Sequence, residues 1–215
     1  MRELDRQVAY WDTVGAAKTF THPLELTWLA GVGRSARVLD YGCGYGRTMA
    51  ELSAHGFREV SGVDLSPALI ARGRRSRPDL DFAVLEDPPS LPYASSSFDV
   101  IVLFAVLTCI PDDDAQRKLV DELVRVLAPG GLLYVSDMIV QDDDRNRDRY
   151  AAHVAEFAGP YCVFTTSDGA VCRHHEPAHL RALLRDLDLV RERPIDVVTM
   201  NGHPSRAVQL LARKQ

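Results

Sequence analysis

Val38-Leu39-Asp40-Tyr41-Gly42-Cys43-Gly44-Tyr45-Gly46-Arg47 is the stretch that decides the fold. An apolar run ends in an acid, three glycines follow at alternate positions, and Arg47-Thr48-Met49-Ala50-Glu51-Leu52 opens a helical pattern. A glycine turn between a strand end and a helix start lets backbone approach a ligand with no Cβ between them, and the first helical turn adds free N–H groups. A small-molecule site is expected here.

Outward from this stretch the chain alternates. Ala36–Asp40 is short and apolar, as suits a strand covered on both faces. A helix over 47–55 closes at Gly56, and Val60–Asp64 forms a second strand that again ends in an acid. Ser66-Pro67 is an N-cap and first-turn pair opening a basic helix to about Arg77. Asp81–Leu85 and Phe98–Ala105 are the third and fourth strands. A helix from Pro111-Asp112 carries Leu119, Leu123, Val124 and Leu127 on one stripe, Pro129-Gly130-Gly131 stops it, and Leu132–Ser136 is the fifth strand. Such alternation from 36 to 138 predicts parallel βαβ units in a doubly wound α/β sheet, whose ligands bind at the carboxyl ends of the strands. Asp40, Asp64, Asp87 and Phe104 all fall at or just past such ends.

The flanks read differently. Residues 3–15 carry Leu4, Val8 and Trp11 at helical spacing, then a polar loop holds Phe20 and His22. Pro23-Leu24-Glu25 reads as a first helical turn, with His22 near the cap and the helix running to about Ala30. After Asp137 a charged stretch leads to a helix over 147–157 and a further glycine at Gly159. Tyr161–Thr166 and Ala170–His174 flank Ser167-Asp168-Gly169 as a β-hairpin, and a helix runs from Pro177 to about Leu187. Val190–Thr199 and Ala207–Leu211, joined through Asn201-Gly202, close the chain as an antiparallel pair.

Composition bounds the function. The 215 residues are 46% hydrophobic, with a net charge of -5, enough for one domain with a sizeable core. The acidic runs Asp112-Asp113-Asp114 and Asp142-Asp143-Asp144 would repel a phosphate backbone, which argues against a nucleic-acid partner. No apolar run reaches the roughly 18 residues of a membrane span, and the N-terminus is not a signal peptide. Cys43, Cys109, Cys162 and Cys172 are scattered without C-x-x-C spacing, so reduced thiols and a cytoplasmic location are expected. Cys43 and Cys109 read as buried small hydrophobes.

Four blocks together, Val38–Arg47, Gly62-Val63-Asp64-Leu65-Ser66, Leu91-Pro92-Tyr93 through Ser97-Phe98-Asp99, and Arg125-Val126-Leu127-Ala128-Pro129-Gly130-Gly131, resemble a class I S-adenosylmethionine-dependent methyltransferase over residues 36–138. The resemblance implies a Rossmann-like seven-stranded sheet, mostly parallel with an antiparallel last strand, plus a small helical and hairpin lid. It implies S-adenosylmethionine as cofactor. Asp40 would orient the glycine loop and the cationic amino group of the methionine. Gly42, Cys43, Gly44, Tyr45 and Gly46 would pass the methionine end, and Asp64 would take both ribose hydroxyls. Leu65 would cover an adenine face, Asp87 would accept from the adenine amino group, and Phe104 would line the methionine arm. The chain departs from the family at Pro88, where members commonly offer a backbone N–H to the adenine. Either the Asp87 side chain holds the base, or the loop is shifted by one residue and Glu86 takes part; Asp87-Pro88-Pro89 as a plain rigid turn is the remaining alternative.

Two rivals share the pattern. A dehydrogenase also sets acids around a glycine loop, but its fingerprint is G-x-G-x-x-G, and here the third glycine arrives one residue early. A module that only senses adenosylmethionine is the second, since fold does not dictate chemistry.

Methyl transfer from a sulfonium asks mainly for positioning and water exclusion, and for a base only where the acceptor must lose a proton. His22 and Tyr150 are the candidate catalytic groups, with His22 as a helix cap the plain alternative. Acceptor-binding candidates are Tyr10, Trp11, Lys18 and Phe20 before the core, and Arg145, Arg149, Tyr161, Phe164, His174 and His175 after it. Arg145 and Arg149 could clamp a carboxylate or phosphate, or merely neutralise Asp142–Asp144. His175, Glu176 and His179 lack a remaining metal ligand, so no metal is expected. The expectation is one methyltransferase domain: 1–33 a helical lid, 34–138 the cofactor core, 139–175 an acceptor lid, 176–215 the end of the sheet. The acceptor is expected to be a small molecule, with RNA or protein the alternative, and the assembly a monomer or homodimer.

Overall fold

The computed structural model describes residues 3–157 and 161–215; the side chains of residues 3–6 and 157 also lie outside it, so the expectations for Leu4 and Gly159 fall on undescribed positions. Six helices and nine strands follow in order: α1 Glu3–Asp12, β1 Arg37–Tyr41, α2 Arg47–Ala54, β2 Glu59–Asp64, α3 Pro67–Ser76, β3 Asp81–Val84, β4 Phe98–Phe104, α4 Asp113–Val126, β5 Leu127–Met138, α5 Asp144–Phe157, β6 Val163–Thr165, β7 Val171–Arg173, α6 Pro177–Leu183, β8 Asp188–Val198 and β9 Pro204–Arg213. Seven strands form one sheet in the order β3-β2-β1-β4-β5-β9-β8. β1 pairs in parallel with both β2 and β4, β2 with β3, and β4 with β5, while β9 runs antiparallel between β5 and β8. This is the expected doubly wound sheet with its antiparallel last strand, and β6–β7 makes the expected hairpin apart from it.

Alternation along the strands feeds two cores. Leu39, Ile101, Leu103, Leu133 and Val135 face one side, where Leu119, Leu123 and Val126 of α4 and Leu180 and Leu183 of α6 cover them. Val38, Val100, Val102 and Tyr134 face the other, against Met49 and Leu52 of α2 and Ile70 of α3. Both faces are covered, which is why β1 and β4 read as unbroken apolar runs. Capping holds the helices in register. The Ser66 hydroxyl accepts from Leu69 N (3.1 Å), and the Asp112 carboxylate accepts from Ala115 N (2.8 Å).

Several expectations need correction. Residues 24–30 do not form an α-helix; only a 3-10 turn spans Leu26–Leu29, capped by Glu25, whose carboxylate accepts from Thr27 N. The backbone there is committed elsewhere: Glu25 N donates to Tyr134 Oη (3.1 Å), and Pro23 O accepts from Gln209 Nε2 (2.6 Å). His22 therefore caps nothing. α1 ends at Asp12, with a separate 3-10 turn over Gly15–Ala17. α4 hands over to β5 at Leu127, ahead of Pro129, because Leu127 already pairs with Phe98 before a bulge. Gly130, at φ 76°, then turns the chain while its N–H donates to Lys214 O. α6 closes at Leu183 in tight turns (Leu184 N to Arg181 O, Leu187 N to Leu184 O) and does not reach Leu187. Among the described residues no helix is long and apolar enough to cross a membrane.

Candidate functional site

A cavity of ≈ 210 Å³ opens at the carboxyl ends of β1, β2 and β4, where the sheet order changes direction. Its floor is the glycine loop. Gly42 N and Cys43 N both donate to Val63 O (2.8 and 3.0 Å), and Gly44 N donates to Asp64 Oδ2 (2.8 Å). Gly42, Gly44 and Gly46 all have positive φ (73°, 55° and 81°), and a Cβ on Gly42 would sit 2.4 Å from Val106 Cγ2. Glycine is required there by both conformation and space.

Two buried acids face this floor. Asp64 accepts Gly44 N on one oxygen and Ser66 N (2.9 Å) on the other, so each oxygen is oriented and keeps a lone pair for a further donor. Burial raises its pKa to about 6 against the pull of those two N–H groups. Asp40 takes no hydrogen bond among the described residues; burial raises it to about 7, with Arg47 opposing and Asp64 adding to the rise. A carboxylate held this way is expensive to ionise alone and is stabilised by a cationic group. Arg47, also on the wall, is bound through Nη2 to His22 O and Thr48 Oγ1, and among the described residues its buried Nε has no hydrogen-bond partner.

The N-terminal segment lies across the cavity as a strap. Asp12 Oδ1 accepts from Ser66 Oγ (2.7 Å) and Ala68 N (3.1 Å), tying α1 to the start of α3. Arg72 Nη1 donates to Ala16 O and Lys18 O while its guanidinium covers the Tyr45 ring at 3.9 Å. Phe20 stacks on the other expected loop aromatic, Tyr45 (centroids 5.2 Å apart), and Trp11 meets Phe20 edge-on. His22 is buried on the wall with Nδ1 2.8 Å from Ser136 Oγ, and burial lowers its pKa to about 4, so it is neutral at ordinary pH.

The hairpin and α5 roof the other side around a small core of Tyr10, Tyr150, Phe164, Ala170 and Cys172. Arg145, Arg149, Phe164 and His174 line the cavity. Tyr150 is fully buried behind that wall; its Oη accepts from Gln141 N (3.3 Å) and lies 2.5 Å from His174 Nδ1. The arrangement that satisfies both has Tyr150 O–H donating to Nδ1, which puts the His174 proton on Nε2. Burial lowers His174 to about 3, so it stays neutral.

The structure thus gathers His22, Asp40, Gly42, Cys43, Asp64, Leu65, Phe104, Trp11, Phe20, Arg145, Arg149, Phe164 and His174 around one cavity. Other candidates lie elsewhere. Gly44 and Tyr45 sit under the strap, Gly46 packs against Phe82 and Met49, and Glu86, Asp87 and Pro88 follow Leu85 on a loop outside the lining, the two acids exposed. Tyr10 and Lys18 fasten the strap through Asp168, and exposed Tyr161 packs edge-on against Tyr150. His175 faces away, with Nε2 on Gln116 Nε2 (2.8 Å) and its ring stacked on His179. Of the cavity cysteines, Cys43 is buried as expected while Cys109 is half-buried. Residues not anticipated on the wall include Arg47, Thr108, Met138, Thr199 and Asn201. For Arg47 the signal was present, since a residue opening the helix after a glycine turn faces the loop it follows; Thr199 and Asn201 reach the site from a distant turn.

A family model described as a methyltransferase domain matches residues 39–135. The chain is 31% identical over 228 residues to a ubiquinone biosynthesis O-methyltransferase of Xanthomonas oryzae pv. oryzae, covering 95% of this chain and 85% of that protein. It is 37% identical over 107 residues to a demethylmenaquinone methyltransferase of Beutenbergia cavernae, covering 50% and 42%. Among solved structures, a SAM-dependent methyltransferase of Methanosarcina mazei superposes with a TM-score of 0.82 at 24% identity, covering 90% of this chain and 99% of that one. The 1,6-didemethyltoxoflavin-N1-methyltransferase of Burkholderia thailandensis superposes at 0.67 with 22% identity, covering 99% and 87%.

Proposed function

The chain belongs to the class I S-adenosylmethionine-dependent methyltransferases and uses S-adenosylmethionine, and on that premise we propose that it methylates a hydroxyl oxygen of a small molecule held between the strap and the hairpin. The observation that carries the donor half is the pair of buried carboxylates, Asp40 and Asp64, set on either side of a glycine loop on one cavity wall. Membership sets aside the dinucleotide and sensor alternatives. The hydroxyl acceptor draws support from the O-methyltransferase that the chain resembles over nearly its whole length, and from a neutral imidazole on the cavity wall.

The residues fit the cofactor. Asp40, buried and without a hydrogen-bonded donor, takes the cationic amino group. The free lone pairs of Asp64, oriented by Gly44 N and Ser66 N, take the ribose hydroxyls. Gly42 gives passage where a Cβ would fill the space, and Leu65, Leu69 and Leu85 wall the base. S-adenosylmethionine supplies an electrophilic methyl group on a good leaving group. His22 acts as the base: with Nδ1–H donating to Ser136 Oγ, Nε2 carries the lone pair that removes the acceptor proton. Residues 8–22, 139–157 and 161–175 form the lid that keeps water from the methyl group. Tyr150 acts through His174 as a positioning residue, without touching the acceptor.

Calorimetric titration with S-adenosylhomocysteine tests the donor half. Asp64→Ala should weaken binding by tenfold or more, through loss of two oriented acceptors; unchanged affinity would sink the site.

A further inference from the structure

Arg145 and Arg149 stand one helical turn apart at the start of α5, and both line the cavity. Positive charges on one wall repel each other, and a partly buried guanidinium such as that of Arg149 commonly has an acid beside it. Here, among the described residues, neither makes an ion pair. The acids nearest in sequence are taken by others. Asp142 pairs with Arg206 (2.9 Å), Asp144 pairs with Arg147 (2.6 Å), and Asp143 accepts from Asn146 N (3.1 Å). Arg145 still acts on Asp143 through its charge, helping to hold that carboxyl below its ordinary value, but it makes no direct ion pair with the three acids, and Arg149 is not a partner of them. The Arg149 guanidinium carbon lies over the Phe164 ring at 3.5 Å from its centroid, which restrains the guanidinium, and among the described residues its buried Nε has no hydrogen-bond partner. Burial, and then Arg145, lower its pKa, which marks the site as one that disfavours its own charge. Beside the pair the cavity wall carries flat or polarisable groups: Trp11, Phe20, Phe164, Met138 and Met200.

We propose that the acceptor is an aromatic anion whose acidic group is clamped by Arg145 and Arg149, while its ring lies against the aromatic wall. This rests on the reading of the cavity as a methyl-acceptor site. A planar fork suits a carboxylate or phosphate in a bidentate bond, and such an anion relieves the repulsion between the two arginines. The ring–guanidinium stack pre-orders the fork, so little side-chain entropy is lost on binding.

The test is calorimetry on the protein saturated with S-adenosylhomocysteine, titrated with a panel of hydroxybenzoates, hydroxycinnamates and phenyl phosphate, and with the methyl esters of the acids. The acids should bind at least tenfold more tightly than their esters. Arg145→Gln and Arg149→Gln should each collapse that preference, and Arg149→Lys should restore it only in part. Arg145 is exposed, so its variant reports on the clamp even if Arg149→Gln loosens the hairpin. Esters that bind as well as acids, a preference that survives both variants, or a panel in which no anion binds would each overturn the proposal. Failure of the unmodified protein to bind S-adenosylhomocysteine would instead remove the site reading beneath it.

Discussion

Gly44 lies so close under Phe20 that a Cβ built on the glycine would stand 2.2 Å from Phe20 Cε2. The strap is therefore seated directly on the cofactor loop, and the glycine serves the lid as well as the floor. Gly44→Ala should lower the melting temperature and weaken S-adenosylhomocysteine binding together. An alanine at φ 55° costs about 1–2 kcal/mol from backbone strain alone, and the ring contact adds to it. Pairing the change with Phe20→Ala should recover part of the loss, since the clash goes while the strain stays. A double-mutant cycle with no coupling would show that the two residues do not meet.

The proposed role of Asp40 makes cofactor affinity depend on pH. Its carboxyl is raised to about 7 by burial, yet it must be ionised to hold an ammonium group. Affinity for S-adenosylhomocysteine should fall by about tenfold per pH unit below about pH 7, and Asp40→Asn should be weak and flat over the same range. The free protein should show the opposite trend in stability. Between about pH 4 and pH 7 the folded Asp40 keeps a proton that the unfolded chain has lost, so its contribution is full below that window and fades as pH rises through it. Chemical denaturation at several pH values checks the sign.

The strands, the glycine loop and both buried acids were legible because each is written in adjacent residues: a period, an acid at a strand end, a turn that only glycine can make. Residues 24–30 were not. Their helical look is local, but Tyr134 and Gln209, 109 and 186 positions along the chain from their partners, draw the backbone to the sheet. The same distance effect hid Thr199 and Asn201. His22 was read from residue type alone, as base or cap, and its partner Ser136 comes from another strand end. The state of Arg145 and Arg149 could not be read either, because the three acids beside them in sequence make their direct bonds to Arg147, Asn146 and Arg206.

His22 is neutral because burial lowers it to about 4, so a base there is ready throughout the physiological range. His22→Asn should reduce kcat by about 10²–10⁴-fold, the usual worth of a positioned base, with S-adenosylhomocysteine affinity changed far less. The acidic limb of the kcat/KM profile should not carry an inflection near the ordinary histidine value. Equal losses in turnover and cofactor affinity would make His22 a packing residue. Ser136→Ala should lower kcat by a smaller factor, because it frees the imidazole without removing it.

Asp168, at the tip of the hairpin, would latch the proposed lid. Lys18 Nζ lies 2.5 Å from both Asp168 Oδ2 and Asn201 Oδ1, and Tyr10 Oη donates to the same carboxylate at 3.2 Å. One lysine thus ties the strap to the hairpin and to the β8–β9 turn. Burial pushes the Asp168 pKa up, but the bonds from Lys18, Thr166 and Tyr10 outweigh it and bring the carboxyl to about 2. A carboxyl lowered in this way stabilises the closed arrangement above its ordinary pKa and lets go only as pH falls through the folded value. Between about pH 5 and pH 8 the latch should hold unchanged. Asp168→Asn keeps the shape and removes the charge, and a charged hydrogen bond is worth about 1.5–3 kcal/mol. Release of S-adenosylhomocysteine, followed by stopped-flow through Trp11 fluorescence, should then speed up by about tenfold and remain independent of pH. A release rate equal to that of the unmodified protein would mean that the strap and hairpin do not gate the cavity.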